Sequence, residues 1–330
     1  MATNAAEYRG PDHSGNPVIL VTAALTEEQS ARLRAAARGA RIVAETDLSS
    51  DPGLAAQVEI CYPSMPAALW QSAGRLKWLQ SDMAGVETVL RAAGSAGHAA
   101  VITNVHIHGV TIAEHLWGMA LMLTRNFGRA VRLQAAGVWN RDAVTEGLSS
   151  LEGRTLCVVG LGAIGERCAA IGRAFGMRVI GIRRRPAPSP WADEVVGPAS
   201  RKDAFSRSRV IMIALPDTPG TRGFIGREEL ASMSGAYLLN AGRGSSVDTD
   251  ALVEALRSGT VRGAGLDVTD PEPLPGGHPL WAMENVVITP HYAGAHPGYA
   301  EEAFDVFLDN LGRWMRGEPL RNIVDRAAGY

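Results

Sequence analysis

Three charged residues stand at turns that close apolar runs, and together they could grip a carboxylate and move a proton. Arg243 lies in Asn240-Ala241-Gly242-Arg243-Gly244, Glu272 in Asp270-Pro271-Glu272-Pro273, and His291 in Thr289-Pro290-His291-Tyr292-Ala293-Gly294. An arginine held by glycines at a strand end can take a carboxylate in its fork and polarise a neighbouring carbonyl. A histidine is the side chain best suited to passing a proton near neutral pH, and a carboxylate beside it stabilises the imidazolium. Singly, each also fits a plain role, as a surface arginine, an N-capping glutamate or a satisfied loop histidine. Their joint placement at the edge of one sheet points to chemistry.

Those turns need a scaffold, and the segment 154–165, RTLCVVGLGAIG, supplies its organising element. The apolar run 156–159 ends in Gly160-Leu161-Gly162-Ala163-Ile164-Gly165 and is followed by a helix-compatible segment, 166–175. In a dinucleotide-binding unit the first glycine permits the turn, the second lets the pyrophosphate approach bare backbone, and the third lets helix pack on strand. The phosphates then meet a helix N-terminus, whose N–H groups and dipole favour anions. A second apolar strand, 178–182, follows at βαβ spacing. Where an NAD enzyme usually carries an acid about 20 residues after the glycines, this chain has Arg183-Arg184-Arg185. Guanidiniums cannot accept from a ribose hydroxyl but suit a 2′-phosphate, so NADP(H) is the expected cofactor, with NAD(H) as the alternative. A solvated basic turn is the other reading of the three arginines.

At 330 residues, 46% apolar and 20% charged, the chain has the composition of a soluble globular enzyme of two domains. A net charge of −2 gives no field that would draw nucleic acid or an anionic membrane. Lys77 and Lys202 are the only lysines, which leaves little room for Schiff-base chemistry. Cys61, Cys157 and Cys168 share no CxxC spacing, so neither a disulfide framework nor zinc is expected and a reducing cytoplasm fits. The polar start of the chain, through Asn16, reads as no signal peptide, and no apolar run reaches a membrane span.

Short apolar strands are expected at 18–22, 42–44, 58–61, 76–80 and 101–103, with a helix over 26–38 capped by Thr26. This first part has no phosphate-binding glycines and reads as a partner domain. Its turn 81–86, Ser81-Asp82-Met83-Ala84-Gly85-Val86, could hold a carboxylate on free N–H groups or be an ordinary βα turn. A helix is expected over 111–125, then a mixed connection over 128–150 with Trp139, and further strands at 210–215, 236–240, 263–268 and 286–289. In open α/β sheets ligands bind outside the carboxyl ends of strands, which is where the three charged residues lie. His106 and His108 alternate on an extended segment, but no third ligand is evident. No metal site is expected, and cleft-lining or structural roles come first.

The chain resembles the D-isomer-specific 2-hydroxyacid dehydrogenase family. Its glycine motif, NxxRG-type arginine loop, DxxxxEP-type glutamate loop and TPHxAG-type histidine loop appear here in order and spacing. The likeness extends to the turn 81–86, to Ala113-Glu114-His115, and to the tail from Asn310 through Gly317-Glu318-Pro319-Leu320 to Gly329-Tyr330. It implies an α/β protein of two doubly wound parallel-sheet lobes, with a Rossmann nucleotide lobe (111–295) inserted into a flavodoxin-like substrate lobe (1–110 plus 296–330). The segments 111–125 and 298–316 would be crossing helices and the site would lie in the cleft.

By the same resemblance Arg243 binds the substrate carboxylate and carbonyl, His291 is the acid/base, and Glu272 orients and tunes it. The backbone of Met83, Ala84 and Gly85 holds the carboxylate. The cofactor set is Gly160, Gly162, Ala163, Ile164, Gly165, Arg183, Arg184, Arg185, Leu215, Pro216, Ala241, Asp267 and His291, with Asp267 meeting the nicotinamide amide. The arginines resemble those of NADP-preferring glyoxylate/hydroxypyruvate reductases; no added C-terminal regulatory domain is expected, which argues against the long phosphoglycerate dehydrogenases and leaves the short ones open. The implied substrate is a small 2-oxo or 2-hydroxy acid, and the implied assembly a homodimer with contacts through the nucleotide lobes and the connection 125–150. A nucleotide-sensing, corepressor-like interaction protein is the alternative, and formate or phosphite oxidation ranks below both.

Overall fold

The computed structural model describes residues 16–330, so the polar N-terminal stretch read for a signal peptide lies outside the described residues but for Asn16. The chain divides into two compact units: one runs to Ile107 and resumes at His296–Tyr330, and the other is His108–Ala295.

In the first unit five strands, β1 (Val18–Val21), β2 (Arg41–Ala44), β3 (Val58–Tyr62), β4 (Trp78–Gln80) and β5 (Val101–Thr103), form a parallel sheet in the order β2-β1-β3-β4-β5. β1 is apolar throughout and β3 is apolar but for Glu59, which pairs with Arg75 and Lys77; both strands are buried along their whole length, as a covered parallel sheet requires. One face is sealed by the helix Tyr299–Met315, whose Phe304, Phe307, Leu311 and Trp314 are buried against it. Phe307 stacks on Tyr62 at 4.4 Å and Trp314 on Trp78 at 5.4 Å. Burying a side chain of this size stabilises by roughly 1.5–3 kcal/mol, so this face anchors the unit. The helix Glu27–Ala36 begins where the sequence placed its cap: Gln29 N donates to Thr26 Oγ1 at 3.1 Å and Thr26 N to Gln29 Oε1 at 3.0 Å.

In the second unit seven parallel strands, β6 (Thr155–Val159), β7 (Arg178–Ile182), β8 (Glu194–Val196), β9 (Val210–Ile213), β10 (Ala236–Asn240), β11 (Val261–Leu266) and β12 (Val286–Ile288), run in the order β12-β11-β10-β9-β6-β7-β8. The chain moves outward from β6 through β7 to β8, then returns to β9 on the other side. The order therefore reverses at β6/β9, the point where α/β sheets hold ligands. The helix after the glycines runs Ala163–Ala174, three residues earlier than its apolar pattern suggests, because Gly162 already caps it. β8, Glu194-Val195-Val196, escaped the sequence reading because only two of its residues are apolar and none is fully buried. The connection 128–150, expected to be mixed, contains two helices, Phe127–Ala135 and Arg141–Thr145; the first is amphipathic, yet neither has a buried residue. The helix expected over 111–125 spans Gly109–Thr124, with Ala113, Leu116, Trp117, Met119 and Ala120 buried on the same face of the sheet as Ala163–Ala174.

Among the described residues no helix is long and apolar enough to cross a membrane, and no cluster of three or more potential metal ligands exists. His106 is exposed and His108 caps the helix Gly109–Thr124.

Candidate active site

The glycine loop is built by close approach. Gly160 has φ +99°, and a Cβ on Gly165 would lie 1.9 Å from the Gly160 carbonyl oxygen, so only glycine lets the helix start this near the strand. Gly162 differs: a Cβ there would meet nothing within 4 Å, leaving bare backbone beside open space, as a pyrophosphate needs. Gly160 N donates to Ile182 O at 2.9 Å, which sets the residues following β7 beside the loop. Those residues are Arg183, Arg184 and Arg185, the first half-buried and the others exposed. Ser189 Oγ donates to Glu166 Oε2 at 2.7 Å and thereby ties the arginine turn to the first turn of the glycine-loop helix. The residues thus fit a dinucleotide, and a cationic turn lies where a ribose-binding acid would otherwise stand. Leu215, Pro216 and Ala241 lie just past the ends of β9 and β10.

Arg243 is fixed through its own main chain. Asn240, buried at the end of β10, donates from Nδ2 to Arg243 O at 3.0 Å and accepts at Oδ1 from Gly242 N at 3.0 Å. Ser246 Oγ donates to the same Arg243 carbonyl at 2.7 Å, and the guanidinium donates from Nη1 to Gly242 O at 2.9 Å. Gly244 lies so close to Thr269 that a Cβ would stand 2.0 Å from the Thr269 carbonyl oxygen. The arginine loop is thereby seated on the loop that leads to Glu272, whose Oε2 accepts from Thr269 N at 3.4 Å.

Glu272 Oε1 and His291 Nδ1 are 2.6 Å apart. A carboxylate only accepts, so Nδ1 carries the proton of that bond and Nε2 is left as the ring atom for exchange. His291 has φ +50°, uncommon for a residue with a side chain. Its loop is held by Asp267, which is 3% exposed. Asp267 Oδ1 accepts from Thr289 Oγ1 at 2.7 Å and from Tyr292 N at 3.1 Å, and Oδ2 from Ala293 N at 3.1 Å. The carboxylate expected at the nicotinamide amide is thus engaged by the loop that follows β12.

In the first unit, the turn with Met83, Ala84 and Gly85 follows β4 and precedes the helix Glu87–Ser95. Its carbonyls are held inward: Tyr299 Oη donates to Asp82 O, Val105 N to Met83 O at 3.5 Å, and Asn104 Nδ2 to Ala84 O at 2.8 Å. Met83 and Ala84 are exposed. Burial pushes the Asp82 carboxyl above its usual range, and burial followed by the Asp82 charge pushes the Tyr299 phenol up to about 12. Beneath the turn, fully buried Gln80 accepts from Thr103 Oγ1 at 2.8 Å and Asn310 Nδ2 at 2.9 Å, and donates to Ser81 O at 2.8 Å.

Of the supporting residues, Asn240, Thr289 and Asn310 stand in the quoted motifs without a role of their own, and Ser246, Thr269 and Gln80 were not singled out from the sequence. The signal these last three offer there is a polar side chain at or just past the end of an apolar strand, which burial obliges to find partners.

Residues 117–293 match the family described as D-isomer specific 2-hydroxyacid dehydrogenase, NAD binding domain. The chain is 38% identical over 224 residues to a glyoxylate reductase of Aeropyrum pernix, covering 65% of this chain and 66% of that one. Among solved structures, the D-isomer specific 2-hydroxyacid dehydrogenase of Xanthobacter autotrophicus Py2 in complex with NADPH and MES aligns with a TM-score of 0.80 at 28% identity, over 96% of this chain and 100% of that one. The NADPH-dependent glyoxylate/hydroxypyruvate reductase of Sinorhizobium meliloti, in complex with NADP and sulfate, aligns with a TM-score of 0.78 at 25% identity, over 95% and 100%.

Proposed function

Because the chain belongs to the D-isomer specific 2-hydroxyacid dehydrogenase family, we propose that it transfers a hydride between NADP(H) and C2 of a small 2-oxo acid or its D-2-hydroxy acid. Its reaction class, nicotinamide-linked redox chemistry of a 2-hydroxy acid, is that of the family. In this reading His291 is the acid/base, Glu272 its partner, and Arg243 the anchor of carboxylate and carbonyl. The observation that carries it is the 2.6 Å contact between His291 Nδ1 and Glu272 Oε1, a pairing that a protein acting only through partners would have no use for. The interaction-protein alternative is not favoured.

Bound nicotinamide supplies the hydride. The chain does the rest: the Arg243 fork holds the carboxylate and favours negative charge on the adjacent oxygen, and His291 delivers its Nε2 proton to the alkoxide forming at C2 while Glu272 balances the imidazolium. General acid catalysis of this kind contributes about 10²–10⁴-fold. The backbone at Met83, Ala84 and Gly85 is assigned to the substrate carboxylate; Met83 N donates to Ser81 Oγ at 3.1 Å, so the assignment falls chiefly on the N–H groups of Ala84 and Gly85.

NADP(H) is the proposed cofactor, supported by the arginine turn and by the NADP and NADPH held in the Sinorhizobium and Xanthobacter proteins. Glyoxylate and hydroxypyruvate are the first substrates to try, as the names of similar proteins suggest. A second copy of this chain is the proposed partner: Phe127, Val131 and Val138 are exposed along 125–150, and Trp139 is 99% exposed. The proposed compartment is the cytoplasm. The test is the loss of reduced-nicotinamide absorbance with NADPH and NADH run in parallel against a panel of 2-oxo acids. Turnover with preference for NADPH supports the reading, and binding of either cofactor without any turnover overturns it.

A further inference from the structure

The unusual backbone of His291 raises the question of what enforces it. A side-chain-bearing residue at φ +50° costs on the order of 1 kcal/mol and persists only where its surroundings over-determine it. Here the donors at Thr289, His291, Tyr292 and Ala293 all end on Asp267: the His291 N–H on its carbonyl at 2.9 Å, the other three on its carboxylate. One more group joins this array. His115 Nε2 lies 2.9 Å from Thr289 Oγ1 and 3.6 Å from Asp267 Oδ1, its ring edge-on to Tyr292 at 5.0 Å.

The hydrogen count fixes the direction of that contact. Thr289 has one hydroxyl proton and gives it to Asp267, which accepts; its oxygen can then only accept from His115, so Nε2 must carry a proton. His115 projects from the helix Gly109–Thr124, between buried Ala113 and buried Leu116 and Trp117, so the donor sits on a rigid platform. We propose that His115 is a positioning residue for the reaction: donating from Nε2 to Thr289, it holds, through Asp267, the loop that presents His291. This rests on His291 being the acid/base. His115 does not touch the reacting atoms.

The experiment compares His115→Leu, His115→Gln, Thr289→Val and His291→Ala with the unmodified protein. It reads kcat, KM for the 2-oxo acid, the Kd of the reduced nicotinamide by fluorescence, and the histidine side-chain ¹⁵N spectrum of the unmodified protein. His115→Leu and Thr289→Val are expected to lower kcat roughly 10- to 100-fold, the cost of a small displacement of a reacting group, with nicotinamide Kd little changed. Glutamine, which can donate from nearly the same point, should restore most of that loss, and the spectrum should show His115 protonated at Nε2. Wild-type kcat in His115→Leu while His291→Ala is inactive overturns the positioning role alone. Full turnover in His291→Ala overturns the acid/base reading and this inference with it. Should the leucine variant fail to fold, Thr289→Val and the spectrum decide, and an Nδ1–H tautomer at His115 overturns the proposal.

Discussion

Gly244 and Thr269 meet backbone to backbone, with room for no side-chain atom between them: a Cβ on the glycine would lie 2.0 Å from the threonine carbonyl oxygen. The loop bearing Arg243 and the loop leading to Glu272 are therefore placed relative to each other by main chain, which cannot yield as a flexible side chain does. Gly244→Ala should displace both loops, costing about 1–3 kcal/mol through overpacking and lowering turnover at least tenfold. Gly162→Ala makes the contrasting control, since its Cβ would stand in open space. It should leave the melting temperature nearly unchanged while weakening nicotinamide binding. Thermal unfolding and cofactor titration of the two variants check the pair, and equal melting temperatures for both would contradict it.

His291→Ala should cut kcat by about 10²–10⁴-fold with cofactor affinity largely kept, because the proton relay is lost and the nucleotide contacts are not. Glu272→Gln preserves the shape of the pair but removes the charge that balances the imidazolium across 2.6 Å. Its kcat should fall as well, with nicotinamide Kd little changed. An unchanged kcat would show that Glu272 does not act on His291.

Arg183→Asp combined with Arg184→Ala should raise the KM for NADPH far more than that for NADH, because a carboxylate repels the 2′-phosphate and accepts from the free ribose hydroxyls. Ser189→Ala should move the two constants in the same sense but less, by releasing the 2.7 Å tie to Glu166 that steadies the arginine turn. Equal losses with both cofactors would mark the turn as a solvated surface feature.

Asp82→Asn should stabilise the protein at neutral pH. Burial raises the Asp82 carboxyl above its usual range, so the folded state binds the proton more tightly than the unfolded one. The native aspartate is then best tolerated below the unfolded value of about 3.9 and costs stability as pH rises through the raised folded value. The gain from asparagine should accordingly vanish near pH 3 and grow to a plateau toward pH 7. Melting temperatures of both proteins across that range test it, and a difference that shrinks with rising pH would sink the argument.

The sequence by itself determined the parallel α/β character, the glycine loop and the arginine turn, and it named Arg243, Glu272 and His291 as candidates. Each of these is local: an apolar run buried on both faces, a glycine where the backbone must turn, a charged residue where a strand ends. The Thr26 cap was similarly legible; that Gln29 completes a capping box with it is shown by the structure. β8 was not, because only two of its three residues are apolar, and the helices of 127–145 lie in a connection with no buried residue on either helix.

Only the tertiary structure decided how the site is held. Asn240 grips the carbonyl of Arg243, Gly244 abuts Thr269, and Asp267 gathers the loop around His291 with His115 reaching it from a helix more than 150 positions earlier in the chain. These partners come together because burial leaves each polar group only the neighbours that folding brings, and distance along the chain says nothing about which neighbours those are.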